Sequence, residues 1–289
     1  MSEPEKEFAD RFWSSADGLK LHYREYAGRD DRPPIICIPG LTRNARDFEP
    51  VARHFAGEWR VLCVELRGRG DSEYSKDWET YTPLTYAEDL RGLLEQAGIE
   101  RFVSVGTSLG GILTMLLGAT DANRIAGAVL NDIGPVIAPE GLSRIRNYVG
   151  QARSFPTWMH AARAVAETHG GSFPDYTTSD WLVMAKRLMV LGGSERIVFD
   201  YDMKIAEIFN QPGGEVGVDL WPVFPALAGR PVLALRGELS DILSVQTLAE
   251  MQRRLPDLDA VTIPRVGHTP TLDEPVAVEA IGRLLARVG

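Results

Sequence analysis

Phe102-Val-Ser-Val-Gly-Thr-Ser-Leu-Gly-Gly111 is the stretch from which the chain is best read outward. The β-prone run Phe102–Val105 stops at Gly106, and the residues after Gly111 have the composition of a helix. Gly106-Thr107-Ser108-Leu109-Gly110 is therefore a G-x-S-x-G pentapeptide placed between a strand and a helix. A serine forced onto so tight a turn presses its neighbours together, so only residues lacking a side chain fit two positions before and after it. The helix beginning there aims free N–H groups and the positive end of its dipole at charge developing beside Ser108.

Strands and helices alternate on both sides of this turn. Leu19–Glu25 alternates apolar and polar residues after an Asp17-Gly18 turn signal, which predicts a hairpin at a sheet edge with His22 as a structural residue. Pro34–Ile38 and Val61–Val64 are continuous apolar runs, as expected of strands buried on both faces. Helical spacing follows over Phe48–Phe55 and Thr85–Ala97, and Ala126–Leu130 reads as a further strand. The rhythm then breaks. Residues 134–225 contain no recognisable buried strand, are dense in aromatics, and carry helical patterns such as Trp181–Leu191 between Gly/Pro/Ser stretches, among them Gln211-Pro-Gly-Gly214. It resumes at Pro231–Arg236, Ser244–Arg254, Ala260–Ile263 and Val276–Ala286. The reading is a discontinuous α/β core, residues 1–133 and 226–289, with a helical cap inserted at 134–225, and a mostly parallel sheet with helices on both faces.

Composition narrows the function classes. The 289 residues carry a net charge of −9, which argues against nucleic acid or an anionic membrane surface as partner. The start of the chain is acidic and lacks a signal-peptide core, and no apolar run approaches the roughly 20 residues needed to span a bilayer. Cys37 and Cys63 sit in apolar runs without nearby histidines and read as small buried hydrophobes in a reducing cytoplasm. No metal-ligand spacing or cofactor motif is found. The expected partner is a small-molecule substrate, with monomer and homodimer both left open.

A serine hydroxyl needs a general base, and the base an orienting carboxylate. Of the five histidines, His22 and His54 precede the nucleophile, while His160 and His169 fall in the insertion. His268 alone follows the last strand, in a loop that opens the final helix, so it should emerge on the strand edge that carries Ser108. Asp241, in Arg236-Gly-Glu-Leu-Ser-Asp241 just past a strand end, completes the order Ser…Asp…His. Asp132 is the alternative acid, with a turn-forming role as the structural reading. Glu238 is the less favoured neighbour of Asp241. Arg43 is read either as a contact for an anionic substrate group or as a solvated surface arginine, and His160 as a packing or pocket residue.

These motifs together resemble the α/β-hydrolase superfamily, and within it the lidded serine enzymes: esterases, lactonases, C–C bond hydrolases and cofactor-free haloperoxidases. The resemblance implies Ser108 as nucleophile, His268 as base and then acid, and Asp241 as orienting carboxylate. It also implies an oxyanion hole from the N–H groups of Leu109 and Leu41. Many relatives have His-Gly where this chain has Pro39-Gly40, and Asp where it has Glu65 before the Arg67–Ser72 loop, which we take as structural. Serine at the turn argues against the haloalkane dehalogenases and epoxide hydrolases of this fold, which use a carboxylate. The expected activity is cofactor-free hydrolysis of a small, fairly apolar ester or lactone through an acyl-enzyme. C–C cleavage of ring-cleavage products, perhydrolase or haloperoxidase chemistry, and a ligand receptor retaining the triad are the alternatives.

Overall fold

The computed structural model describes residues 7–210 and 219–288; the Gln211–Gly214 separator expected in the insertion lies outside them. In chain order the strands are β1 (Ala9–Ser14), β2 (Lys20–Tyr26), β3 (Ile35–Ile38), β4 (Val61–Val64), β5 (Phe102–Thr107), β6 (Ile125–Asn131), β7 (Ser154–Phe155), β8 (Met189–Leu191), β9 (Ile197–Phe199), β10 (Val232–Gly237) and β11 (Asp259–Ile263). The α-helices are α1 (Glu49–Phe55), α2 (Pro83–Gln96), α3 (Leu109–Asp121), α4 (Pro139–Tyr148), α5 (Trp158–His169), α6 (Thr178–Leu188), α7 (Val245–Arg254) and α8 (Pro275–Leu285).

Eight strands form one sheet in the order β1-β2-β4-β3-β5-β6-β10-β11. The β1–β2 hairpin joins β4 antiparallel, and the rest of the sheet is parallel. Successive side chains of a strand point to opposite faces, and the packing follows. Ile36, Ile38, Leu62 and Val64 join the cluster that holds the buried side chains of α2 and α3. Ile35, Cys37, Val61 and Cys63 join the one under α1 and α8. Cys37 and Cys63 are register partners, buried and unpaired. None of the described helices is long and apolar enough to cross a membrane.

Between β6 and β10 the chain forms helices α4, α5 and α6, and also a three-stranded antiparallel sheet in the order β7-β9-β8, which the sequence reading did not contain. The helical pattern read over Trp181–Leu191 divides: α6 stops at Leu188, and Met189–Leu191 turns back against Ile197–Phe199. A three-residue apolar strand cannot be told from a helix end by periodicity. Phe155, Trp181, Met184 and Leu188 give this segment a core of its own.

The loop after β4 is structural, as expected. Arg67, 1% exposed, forks onto both oxygens of Asp89 at 2.7 Å and onto Asp17 at 2.8 and 2.9 Å. Arg69, fully buried, donates from Nε to the Leu41 carbonyl at 2.8 Å and so braces the loop after β3.

His22 lies buried between two carboxylates, Nδ1 2.9 Å from Glu65 Oε2 and Nε2 3.0 Å from Asp10 Oδ1. Burial disfavours its charged form, but the hydrogen bond and charge of Glu65, with help from Asp10, outweigh it and raise its pKa above 6.5. The stabilisation is therefore fully present below about pH 6.5 and is lost as pH rises through the raised folded value. His22→Gln should lower Tm most at about pH 6 and by progressively less toward about pH 9. Melting both proteins across that range checks this, and a constant difference in Tm contradicts it.

Candidate active site

Ser108 follows β5 and caps α3, with φ 52° and ψ −115°. A left-handed φ at a non-glycine residue is strained and persists only where its surroundings enforce it. A Cβ on Gly106 would lie 2.4 Å from the Gly110 carbonyl oxygen, and one on Gly110 only 2.0 Å from that of Ile38. These approaches are the physical content of the pentapeptide's two glycines. Leu109 is the first residue of α3, and the N–H groups of a helix's first turn have no intrahelical acceptor.

The loop carrying His268 follows β11. Its Gly267 N–H donates to the Ser172 carbonyl at 2.6 Å. Asn131, at the end of β6, donates from Nδ2 to the Pro270 carbonyl at 2.9 Å and to Thr107 Oγ1 at 3.1 Å, pinning this loop to the end of β5. The imidazole is thereby held with Nε2 3.0 Å from Ser108 Oγ. Its Nδ1 lies 2.7 Å from Asp132 Oδ2.

That last contact brings Asp132, the alternative acid of the sequence reading, rather than Asp241 against the imidazole. Asp132 is fully buried, with φ 54°. It accepts from the Gly237 N–H at 2.8 Å (Oδ1) and from the Ser240 hydroxyl at 2.7 Å (Oδ2), in addition to His268. Asp241 turns the other way and meets Arg144 of α4, at 2.5 Å to Nε and 2.8 Å to Nη2. Arg144 holds its carboxyl below the usual range in spite of burial. Both aspartates leave the same edge of the sheet from neighbouring strands, but adjacent residues Ser240 and Asp241 point oppositely. Ser240 faces inward and solvates Asp132, while Asp241 faces α4. Glu238 accepts from the Arg265 N–H at 2.7 Å and is structural.

A cavity opens over Ser108 and His268. Gly40, Leu41, Phe48 and Thr269 line it from the sheet edge, and Ile145, Tyr148, Val165, Leu188 and Phe199 line it from the segment between β6 and β10. Gly40 comes close to the serine: a Cβ there would sit 3.7 Å from Ser108 Cβ. Arg43 also faces this cavity and forks onto Asp47, with Nη2 2.7 Å from Oδ1, so it is not a solvated surface residue. His160 is exposed, pairs with Thr157 at 2.9 Å and stays out of the lining.

His169 is the lining residue that sequence reasoning missed. It ends α5 on the face that also presents Val165, four residues earlier, and this i,i+4 spacing was the available signal. Burial, then the charges of Arg43, Arg144 and His268, push its pKa down to about 3, so its ring is neutral at neutral pH. His22, Glu65 and Asp71 bring ligand atoms within 4.8 Å of one another, but both His22 nitrogens already have carboxylate partners, and Glu65 accepts the Asp71 N–H at 2.7 Å. The cluster is an ion-pair network.

A hydroxyl, an imidazole and a buried carboxylate in series, beside a helix N-terminus, can deprotonate the hydroxyl and stabilise a developing oxyanion. The model of the alpha/beta hydrolase fold family matches residues 33–275. The chain belongs to that family. This hydrolase is 33% identical over 266 residues to a 3-hydroxybutyrate-oligomer hydrolase of Cupriavidus necator, with 90% of each chain covered. It is 26% identical over 252 residues to a 2-(acetamidomethylene)succinate hydrolase of Mesorhizobium japonicum, covering 86% of this chain and 85% of the relative. The crystal structure of an alpha/beta hydrolase from Novosphingobium aromaticivorans superimposes with a TM-score of 0.95 at 62% identity, covering 98% of this chain and all of that one.

Proposed function

We propose that this hydrolase is a serine esterase that cleaves small aliphatic esters through an acyl-enzyme. The observation that carries the reading is the unbroken series Ser108 Oγ, His268, Asp132, at 3.0 and 2.7 Å. In this reading Ser108 attacks the ester carbonyl as His268 Nε2 takes its proton. Asp132 holds the imidazole with Nδ1 protonated and stabilises the imidazolium. The N–H groups of Leu41 and Leu109 hold the tetrahedral oxyanion. His268 then gives its proton to the leaving alkoxide, and a water that it deprotonates releases the acid.

The segment between β6 and β10 serves as a cap in this reading, since its residues between Ile145 and Tyr201 line the cavity that holds Ser108. The cavity's mainly aliphatic and aromatic lining suits a substrate with an apolar body, and the relation to a 3-hydroxybutyrate-oligomer hydrolase puts short hydroxy-acid esters first among candidates. We place the enzyme in the cytoplasm, a reading supported by two register-paired cysteines that carry no disulfide.

The test is a fluorophosphonate label followed by a substrate panel of p-nitrophenyl butyrate, a linear 3-hydroxybutyrate oligomer, a lactone and a dienone ring-cleavage product. The label is expected on Ser108, with turnover of the esters. Turnover of the dienone alone would move the enzyme to C–C cleavage. An unlabelled Ser108 with no ester turnover defeats the esterase reading.

A further inference from the structure

The charged groups of the cavity wall are unbalanced. Among the described residues, Arg43, Arg153 and Arg187 line it against a single carboxylate, Asp47, and both oxygens of Asp47 are taken by Arg43. The excess is local, because the chain as a whole carries −9. Arg153 is exposed and lies over the Phe155 ring at 5.3 Å. Arg187 is half-buried and has no carboxylate partner among the described residues.

Arg187 is also held in a fixed relation to the nucleophile. Its own carbonyl accepts from Asn44 Nδ2 at 3.0 Å and from Arg46 Nε at 3.1 Å, and Arg46 Nη2 reaches Asp200 at 2.6 Å. These bonds bolt the end of α6 to the loop after β3, the loop that passes beside Ser108. A cation suits the C-terminal turn of a helix, but exposed Lys186 on the same turn already meets that need. The helix end therefore does not explain why Arg187 faces the cavity. A guanidinium partly withdrawn from water gains most from a carboxylate that it can grip with two N–H groups.

We propose that the substrates of this site are monoanionic esters, carrying a free carboxylate a few atoms from the scissile bond, and that Arg187 is the residue that selects them. The proposal rests on the esterase reading of the same site. Hydrolysis consumes one water and yields an acid and an alcohol, and the recognised carboxylate emerges unchanged. It sharpens the expectation of a fairly apolar substrate to one with an apolar body and a charged end.

Calorimetric titration of Ser108→Ala separates recognition from turnover. Monoethyl glutarate against diethyl glutarate, and 3-acetoxybutyrate against its methyl ester, place the carboxylate on the acyl and on the alcohol side. In at least one pair the anion should bind about tenfold or more tightly than its neutral ester. That ratio should collapse toward unity when Arg187→Gln is added and partly recover with Arg187→Lys. A ratio that Arg187→Gln leaves within about twofold, no preference in either pair, or no detectable binding of any of the four overturns the proposal. Collapse of the ratio in a protein whose wild-type form turns over no ester would leave anion recognition standing and defeat the esterase reading alone. Ester turnover with a ratio insensitive to Arg187 does the reverse.

Discussion

Ser108→Ala should lower kcat on any ester the wild type hydrolyses by roughly 10⁴–10⁶, with the fold intact. The loss is large because base and acid act only through the hydroxyl. With Oγ gone, His268 Nε2 has no proton to accept from the position 3.0 Å away. What remains is binding and the oxyanion donors, which a nucleophile-free site can still offer to water. The fold should survive because alanine takes the same left-handed φ of 52° with no larger side chain, and the glycines that enforce the turn are untouched. Steady-state rates together with the thermal melt and far-ultraviolet circular dichroism of both proteins decide the matter. A folded variant that retains near-normal rates removes Ser108 as nucleophile.

The second large effect separates two carboxylates. Asp132→Asn should cost about 10⁴ in kcat, since an amide donates where the carboxylate accepted and so favours the wrong imidazole tautomer. The Gly237 N–H keeps its acceptor at the Oδ1 position, whereas Ser240 and His268, which share Oδ2, both face the new NH2. Asp241→Asn should cost less than about tenfold. It breaks a pair with Arg144 whose side chains are 27% and 32% exposed, of the kind worth about 0–1 kcal/mol, and leaves His268 oriented. Measuring kcat for both variants on one ester tests the assignment. The opposite order, with Asp241→Asn the severe lesion, would return the acid's role to the loop after β10.

The fold was legible because it follows from local rules. Continuous apolar runs such as Ile35–Ile38 and Val61–Val64 could be buried only on both faces of a sheet, and the Gly106–Gly110 spacing could serve only a close turn. The pairing of Ser108 with His268 was legible too, because strand ends on one edge bring their loops together. The acid was not, because two aspartates end neighbouring strands on that edge. Which of them meets His268 depends on which way the loop over residues 238–244 turns. The small sheet Met189–Phe199 was hidden for a similar reason, since three apolar residues fit a helix end or a strand equally well.

The sequence by itself determined the strand–helix alternation, the strained serine turn and the one histidine able to reach it. Tertiary structure alone decided which carboxylate meets His268, the neutral His169 in the cavity wall and the uncompensated Arg187 facing it. Those three depend on contacts across 136 residues between His268 and Asp132 and on helices from the segment between β6 and β10 folding back over the sheet edge. Periodicity reports which face of an element is buried, but not which partner that face will meet.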